Sequence, residues 1–258
     1  MHHHLSTRAK LGLIVPPNNT VNEAEWQSAL PPGVSLHATR MRLNPLARAP
    51  EEMAKLRADL REAAALVAEA GVDVVAFGCT APSAVNPRRE MEAMMQEAAG
   101  RPGATAGAAM ADALLAVGGR RIVLLSPFSE NVTKHEAAFL AGEGIEVTAI
   151  ASLGHQTYAP GRRLGIHLIG PEEIRAALAP LPVAQADAVM LSGTNLVTFP
   201  IIEALEAEIG RPVISSNQAL LWSALRRAGI EDRLPLGRLF DVVQAGGPPE
   251  TESTSPVT

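Results

Sequence analysis

Short apolar runs alternate with longer helical patterns along this chain. Leu11–Val15, Ser35–Thr39, Val72–Phe77, Ile122–Leu125, Val147–Ala151, Ala188–Leu191 and Val213–Ser215 read as strands. Helices are predicted over Asn22–Leu30, Pro50–Ala70, Arg88–Ala99, Gly107–Val117, Glu130–Glu143, Pro171–Leu181, Phe199–Ile209 and Ala219–Ala228. The strand runs are unbroken rather than alternating, and helices join them. That combination predicts parallel sheets covered on both faces, an α/β fold. Punctuation agrees: Pro50-Glu51-Glu52 and Pro171-Glu172-Glu173 put proline and acids in a first helical turn. Gly71, Gly118 and Gly144 fall just past predicted helix ends.

The pattern repeats. Gly100-Arg101-Pro102 returns as Gly210-Arg211-Pro212, a shift of 110. Val15-Pro16-Pro17 and Ser126-Pro127-Phe128 both close strands, at a shift of 111. Asp73 to Thr80 and Asp187 to Thr194 share one layout at a shift of 114, with Cys79 in the first copy and Gly193 in the second. Landmarks in one order at nearly one offset predict two similar α/β lobes related by a pseudo-twofold. Ligands of open parallel sheets bind beyond the carboxyl ends of strands, so the cleft between lobes is the expected active site. The expected divisions are 1–9 as a tag or disordered N-terminus, 10–117 as the first lobe, 118–230 as the second and 231–258 as a C-terminal segment. In the first lobe the C-terminal helices could cross over, and the C-terminal segment is disordered from about residue 246.

Composition narrows the partners. The 258 residues are 47% hydrophobic but only 3% aromatic, so aliphatic and alanine packing must fill the core. A net charge of −5 without long single-sign blocks makes no case for nucleic acid. No apolar run approaches the roughly 20 residues of a membrane span. The start, Met1-His-His-His4, lacks a signal-peptide apolar region, and no metal role is expected of it. One cysteine cannot form an internal disulfide, which fits a reducing cytoplasm.

Cys79 follows a buried strand and precedes a turn leading toward a helix. Backbone N–H groups there would favour its thiolate, the nucleophilic form. A buried structural cysteine is the competing reading. Pro17, Asn19 and Thr20 lie after the first strand, where Asn19 could hold a carboxylate or cap a helix. Ser192-Gly193-Thr194-Asn195 and Ser215-Ser216-Asn217-Gln218 bring small polar groups and N–H donors to two more strand ends, suiting an anionic oxygen or an ordinary turn. His37, His135, His155 and His167 show no ligand spacing. Neither glycine-rich phosphate signature occurs. Arg162-Arg163 lies in a glycine- and proline-flanked stretch that reads as a lid or a solvated loop.

Leu11-Gly-Leu-Ile-Val-Pro-Pro-Asn-Asn19-Thr20, His37-Ala-Thr-Arg-Met-Arg-Leu43, Gly78-Cys79-Thr80, Leu191-Ser-Gly-Thr-Asn195 and Pro212-Val-Ile-Ser-Ser-Asn-Gln218 resemble the maleate cis-trans isomerase and arylmalonate decarboxylase branch of the aspartate/glutamate racemase superfamily. The resemblance implies two α/β lobes, chemistry without a cofactor, a small mono- or dicarboxylate substrate and a homo-oligomer. It implies that Cys79 is the nucleophile, that Asn19 holds a substrate carboxylate, and that Thr80 and Thr194 help bind an oxyanion. Gly193 stands where the isomerases carry a second cysteine, Phe128 where they carry a tyrosine, and Arg163 in place of an asparagine near the lid. The decarboxylases keep their one cysteine in the second lobe, so this chain is their mirror arrangement. With one thiol, two-base racemisation is disfavoured. Isomerisation through Cys79 as nucleophile is the favoured expectation. Decarboxylation with Cys79 as proton donor comes next, then a non-catalytic carboxylate-binding role.

Overall fold

The computed structural model describes residues 4–42, 49–85, 88–155 and 165–242. The first half runs β1 (Ala9–Val15), α1 (Asn22–Ala29), β2 (Val34–Arg40), α2 (Pro50–Ala68), β3 (Val74–Phe77), α3 (Thr80–Val85), α4 (Arg88–Ala99), β4 (Gly103–Thr105) and α5 (Ala106–Ala116). The second runs β5 (Arg121–Ser126), α6 (Glu130–Gly142), β6 (Glu146–Ser152), α7 (Pro171–Leu178), β7 (Ala188–Leu191), α8 (Ile202–Ile209), β8 (Val213–Ser215) and α9 (Ser216–Arg227). Each half builds a four-stranded sheet, in the orders β2-β1-β3-β4 and β6-β5-β7-β8. Every pairing is parallel. The two orders are the same under the sequence repeat, as the shifted landmarks predict.

The hydrophobic pattern explains which strands are central. β3 and β7 are buried at every residue and β1 at all but Lys10, whereas the edge strand β2 has exposed and half-buried positions. Seven strands and eight helices match the sequence expectation closely. The structure adds β4, only three residues long, and α3, a helix of six residues directly after Cys79.

Two helices at the middle tie the halves together. α5 packs along α9, and α9 also packs on β3 and β4 of the first sheet. Small side chains allow this: the first residues of α5 are Ala106-Gly-Ala-Ala-Met-Ala, all buried, and α9 is buried from Ser216 to Leu225. Trp26 of α1 is fully buried, and its Nε1 donates to the Asn217 carbonyl at 3.0 Å, fixing the start of α9 against the first lobe. A buried indole of this kind removes ~200 Å² from water, worth a few kcal/mol.

At the N-terminus, order begins earlier than the expected boundary at residue 10. The hydroxyls of Ser6 and Ser35 meet at 2.6 Å, β1 starts at Ala9, and Arg8 forms an ion pair with Asp232. The predicted disordered tail from about residue 246 lies outside the described residues. No described helix is long and apolar enough to cross a membrane.

Candidate active site

The sequence-predicted residues come from carboxyl ends of strands in both sheets. Cys79 and Thr80 follow β3, Pro17 and Asn19 follow β1, Phe128 follows β5, Gly193 to Asn195 follow β7, and Ser216 follows β8. Hydrogen bonds across the lobe boundary draw several of them together. The Asn19 amide donates to the Thr194 carbonyl and hydroxyl, each at 3.1 Å. The Thr194 hydroxyl donates to the Gly78 carbonyl at 2.9 Å, next to Cys79. Thr20 N–H donates to Asn195 Oδ1 at 3.0 Å.

These contacts revise how some polar groups are used. Asn19 Oδ1 accepts from the N–H groups of Val21 and Asn22, both at 3.0 Å, so Asn19 caps α1 and also clamps Thr194. The Gly193 N–H is taken by Ser216 Oγ at 2.9 Å. Thr80 differs: its hydroxyl is buried and has no hydrogen-bond partner among the described residues. Phe128 is buried beside Gly193, and Pro17 lies exposed at the rim. Arg163 lies outside the described residues, as does most of the expected lid.

The repeated strand ends are not equivalent in backbone. Gly193 has φ +103°, a left-handed value, whereas among the described residues no non-glycine residue, Cys79 included, has positive φ. A Cβ at Gly193 would meet Pro127 Cγ at 2.9 Å and Cδ at 3.2 Å. A second cysteine here is therefore disfavoured by conformation and by the proline. Gly193→Cys is expected to cost about 1–3 kcal/mol of stability. Thermal unfolding would report this as a melting temperature lower by several degrees.

Cys79 is 8% exposed. Burial pushes its thiol up to about 12; the Ala81 N–H at the start of α3 favours the thiolate but does not compensate, and the charge of Glu136 adds to the rise. The expected N–H donor is thus present, but the thiol rests protonated. Any nucleophilic role needs a group that takes its proton.

Glu136 is a residue that the sequence reading missed. It sits on α6, 1% exposed, and Ser192 Oγ donates to its Oε1 at 2.9 Å. Its other oxygen, Oε2, completes no hydrogen bond among the described residues, although the Ser126 hydroxyl lies near enough to the carboxyl to favour its charge. Burial raises its carboxyl to about 7, while hydroxyls of Ser192 and Ser126 favour the ionised form. Glu25, missed likewise, is its counterpart at the 111-residue shift already marked by Pro16 and Pro127. Glu25 is also buried, but its carboxylate is satisfied: it accepts from Phe199 N–H at 2.7 Å, from Asn217 Nδ2 at 2.7 Å, and from the N–H and hydroxyl of Thr198. The repeat itself was the signal that could have found both acids.

Glu136 makes stability depend on pH. Its folded-state pKa lies above the unfolded value of 4.5, so its contribution is full below pH 4.5 and is lost as pH rises through about 7. Relative to Glu136→Gln, the native chain is expected to lose about 3 kcal/mol between those limits. Urea unfolding of both proteins at pH 5 and pH 8 checks this.

No cluster of three or more His, Cys, Asp or Glu side chains suited to a metal occurs among the described residues. Residues 11–240 match the arylmalonate decarboxylase family. A maleate isomerase of Nocardia farcinica is 28% identical over 245 residues, covering 90% of this chain and 95% of that one. An arylmalonate decarboxylase of Bordetella bronchiseptica is 35% identical over 149 residues, 57% of this chain and 61% of that one. Among solved structures, an arylmalonate decarboxylase aligns with a TM-score of 0.74 and 28% identity, covering 91% of this chain and 100% of that one. A maleate isomerase variant from Pseudomonas putida S16 with maleate shares the fold at a TM-score of 0.81 and 22% identity, covering 91% and 98%. A mutant Nocardia farcinica maleate cis-trans isomerase that carries a covalently bound succinylcysteine intermediate shares it at 0.80 and 24%, covering 90% and 98%. The match over nearly the whole chain settles the family: this protein belongs to the arylmalonate decarboxylase family.

Proposed function

We propose that this chain is a cofactor-independent isomerase of a small unsaturated dicarboxylate, similar to the maleate isomerases, with Cys79 as its nucleophile. The observation that carries the reading is the position of Cys79, the only thiol, at the end of β3 beside the inter-lobe contact of Thr194 with Gly78. The full-length likeness to maleate isomerases supports it.

In this mechanism the thiolate sulfur adds to one alkene carbon of the cis diacid. The π pair moves onto the neighbouring carbon and its carboxylate. The former double bond is then single and rotates. Return of the pair expels sulfur and leaves the trans diacid. Charge on the carboxylate is met by neutral donors, each worth several kcal/mol when well placed. Thr80 is the first of these, its hydroxyl being buried and unpartnered among the described residues. Asn19 would exchange its contact with the Thr194 hydroxyl for a substrate carboxylate oxygen. Asn195, Ser216 and the Gly193–Thr194 backbone complete the polar wall, Phe128 and Pro17 the apolar one, and Arg163 would pair with the distal carboxylate. A homo-oligomer in the cytoplasm is part of the same proposal.

One observation favours a second reading. Burial keeps the thiol protonated at rest, the form from which Cys79 would give a proton to carbon in decarboxylating a malonate-type diacid. Proton NMR in heavy water separates the two. Maleate converted to fumarate supports the isomerase; phenylmalonate converted to a deuterated monoacid supports the decarboxylase. If neither is converted, and diacids still bind equally well after Cys79→Ala, both catalytic readings fail.

A further inference from the structure

We infer that Glu136 is the proton acceptor and donor that serves Cys79, an acid supplied by the second lobe to a thiol supplied by the first. This rests on the reading of Cys79 as the reacting group.

Three features of the fold lead to it. α6, which carries Glu136, packs against α3, the helix that opens directly after Cys79. Ser192 holds Oε1 and immediately precedes Gly193, so the carboxyl lies beside the strand end where the repeat lacks a side chain. Oε2 is buried without a partner among the described residues, whereas its counterpart Glu25 spends its carboxylate on the Thr198–Phe199 backbone and Asn217. A buried carboxyl oxygen left unpaired is costly as a structural element. The two acids therefore differ: Glu25 joins the lobes, and Glu136 keeps one oxygen available.

The charge of Glu136 reaches the Cys79 thiol. Among the described residues packed around it, no other charged group competes. α3 carries no charged side chain, and β5 and β6 carry only Arg121 and Glu146, which pair with each other in solvent. On α6 itself Glu130 pairs with Lys134 at the surface and His135 is exposed. Burial raises both groups, the thiol more than the carboxyl, so transfer from sulfur to oxygen is uphill at rest and is completed only as sulfur bonds to the substrate carbon.

The step balances within the protein. Cys79 and Oε2 are not hydrogen-bonded at rest; as substrate binds, Oε2 takes the thiol proton to form an O–H bond, and the S–H pair stays on sulfur. Sulfur uses that pair to bond to the substrate carbon. When the C–S bond breaks, its pair returns to sulfur and the proton returns from Oε2. In the decarboxylation variant, Cys79 gives its proton to carbon and Glu136 restores one to sulfur.

The test compares wild type with Glu136→Gln and Glu136→Asp, using iodoacetamide alkylation of the single cysteine against pH and turnover of maleate and phenylmalonate. Removing the charge in Glu136→Gln should make alkylation at pH 8 several-fold faster, because the thiol ionises more easily. Turnover should nevertheless fall about 100-fold or more, because the proton acceptor is gone, and Glu136→Asp should recover part of it. Faster alkylation with turnover kept within three-fold of wild type overturns the proposal, leaving Glu136 only an electrostatic neighbour. An alkylation profile shared by wild type and Glu136→Gln overturns it too, and does so even if wild type converts neither diacid and the isomerase and decarboxylase readings fail. If Glu136→Gln does not fold, Ser192→Ala takes its place. Losing that donor disfavours the carboxylate, so the acid limb of the turnover profile should move to higher pH; an unmoved limb overturns the proposal.

Discussion

Cys79→Ala is expected to lower turnover by at least about 10⁴-fold, because covalent catalysis has no second thiol to fall back on. The position across the repeat is Gly193, which offers no side chain and whose backbone sits at φ +103°. Removing the thiol is a small change to the core. Cys79 closes the buried set around Ile14, Phe77, Met91 and Met95, so the variant should lose only about 1 kcal/mol. Activity and stability thus separate cleanly. Turnover measured by NMR alongside a thermal melt would show loss of one with little loss of the other. Cys79→Ser should be as inactive, since an alcohol in the same buried site ionises even less readily than the thiol.

Glu25→Ala is expected to be the most destabilising single change at the lobe junction, by about 3–5 kcal/mol. The carboxylate of Glu25 reaches from α1 to Thr198, Phe199 and Asn217 of the second lobe, all buried. Alanine would leave two backbone N–H groups and an amide without an acceptor, in a place closed to water. Asn217 also holds Asn22 at 2.7 Å and, through its carbonyl, Trp26, so loosening it frees the start of α9. A chemical denaturation midpoint well below wild type, with a melting temperature lower by about 10 °C, is the expected result. Glu25→Gln keeps one acceptor oxygen and should lose less. Full stability in Glu25→Ala would show that the other contacts between the lobes, α5 against α9 foremost, hold them without it.

The architecture was legible because parallel strands buried on both faces leave long apolar runs, as at Val74–Phe77 and Ala188–Leu191. β4 escaped because three residues, Gly103-Ala-Thr105, carry no run to detect. α3 escaped as a helix because six residues cannot display a period. The position of Cys79 could be read from the repeat, but its ionisation could not. A local argument finds the Ala81 N–H and favours the thiolate, whereas burial is set by residues far apart in sequence and outweighs it. Asn19 shows a similar limit: capping α1 is visible in sequence, and its clamp on Thr194, 175 residues away, is not. Glu136 is hidden because an acid on an amphipathic helix reads as a solvated face. Only the fold turns that residue inward, and only the 111-residue shift from Glu25 marks it in advance.

The central claim is that Cys79 forms a covalent bond to the diacid. The most direct measurement is peptide mass mapping of protein quenched in acid during turnover of maleate. The peptide containing Cys79 is expected to gain the mass of one maleic acid, and Cys79→Ala to show neither the gain nor fumarate. Fumarate formed at an undiminished rate by Cys79→Ala would contradict it.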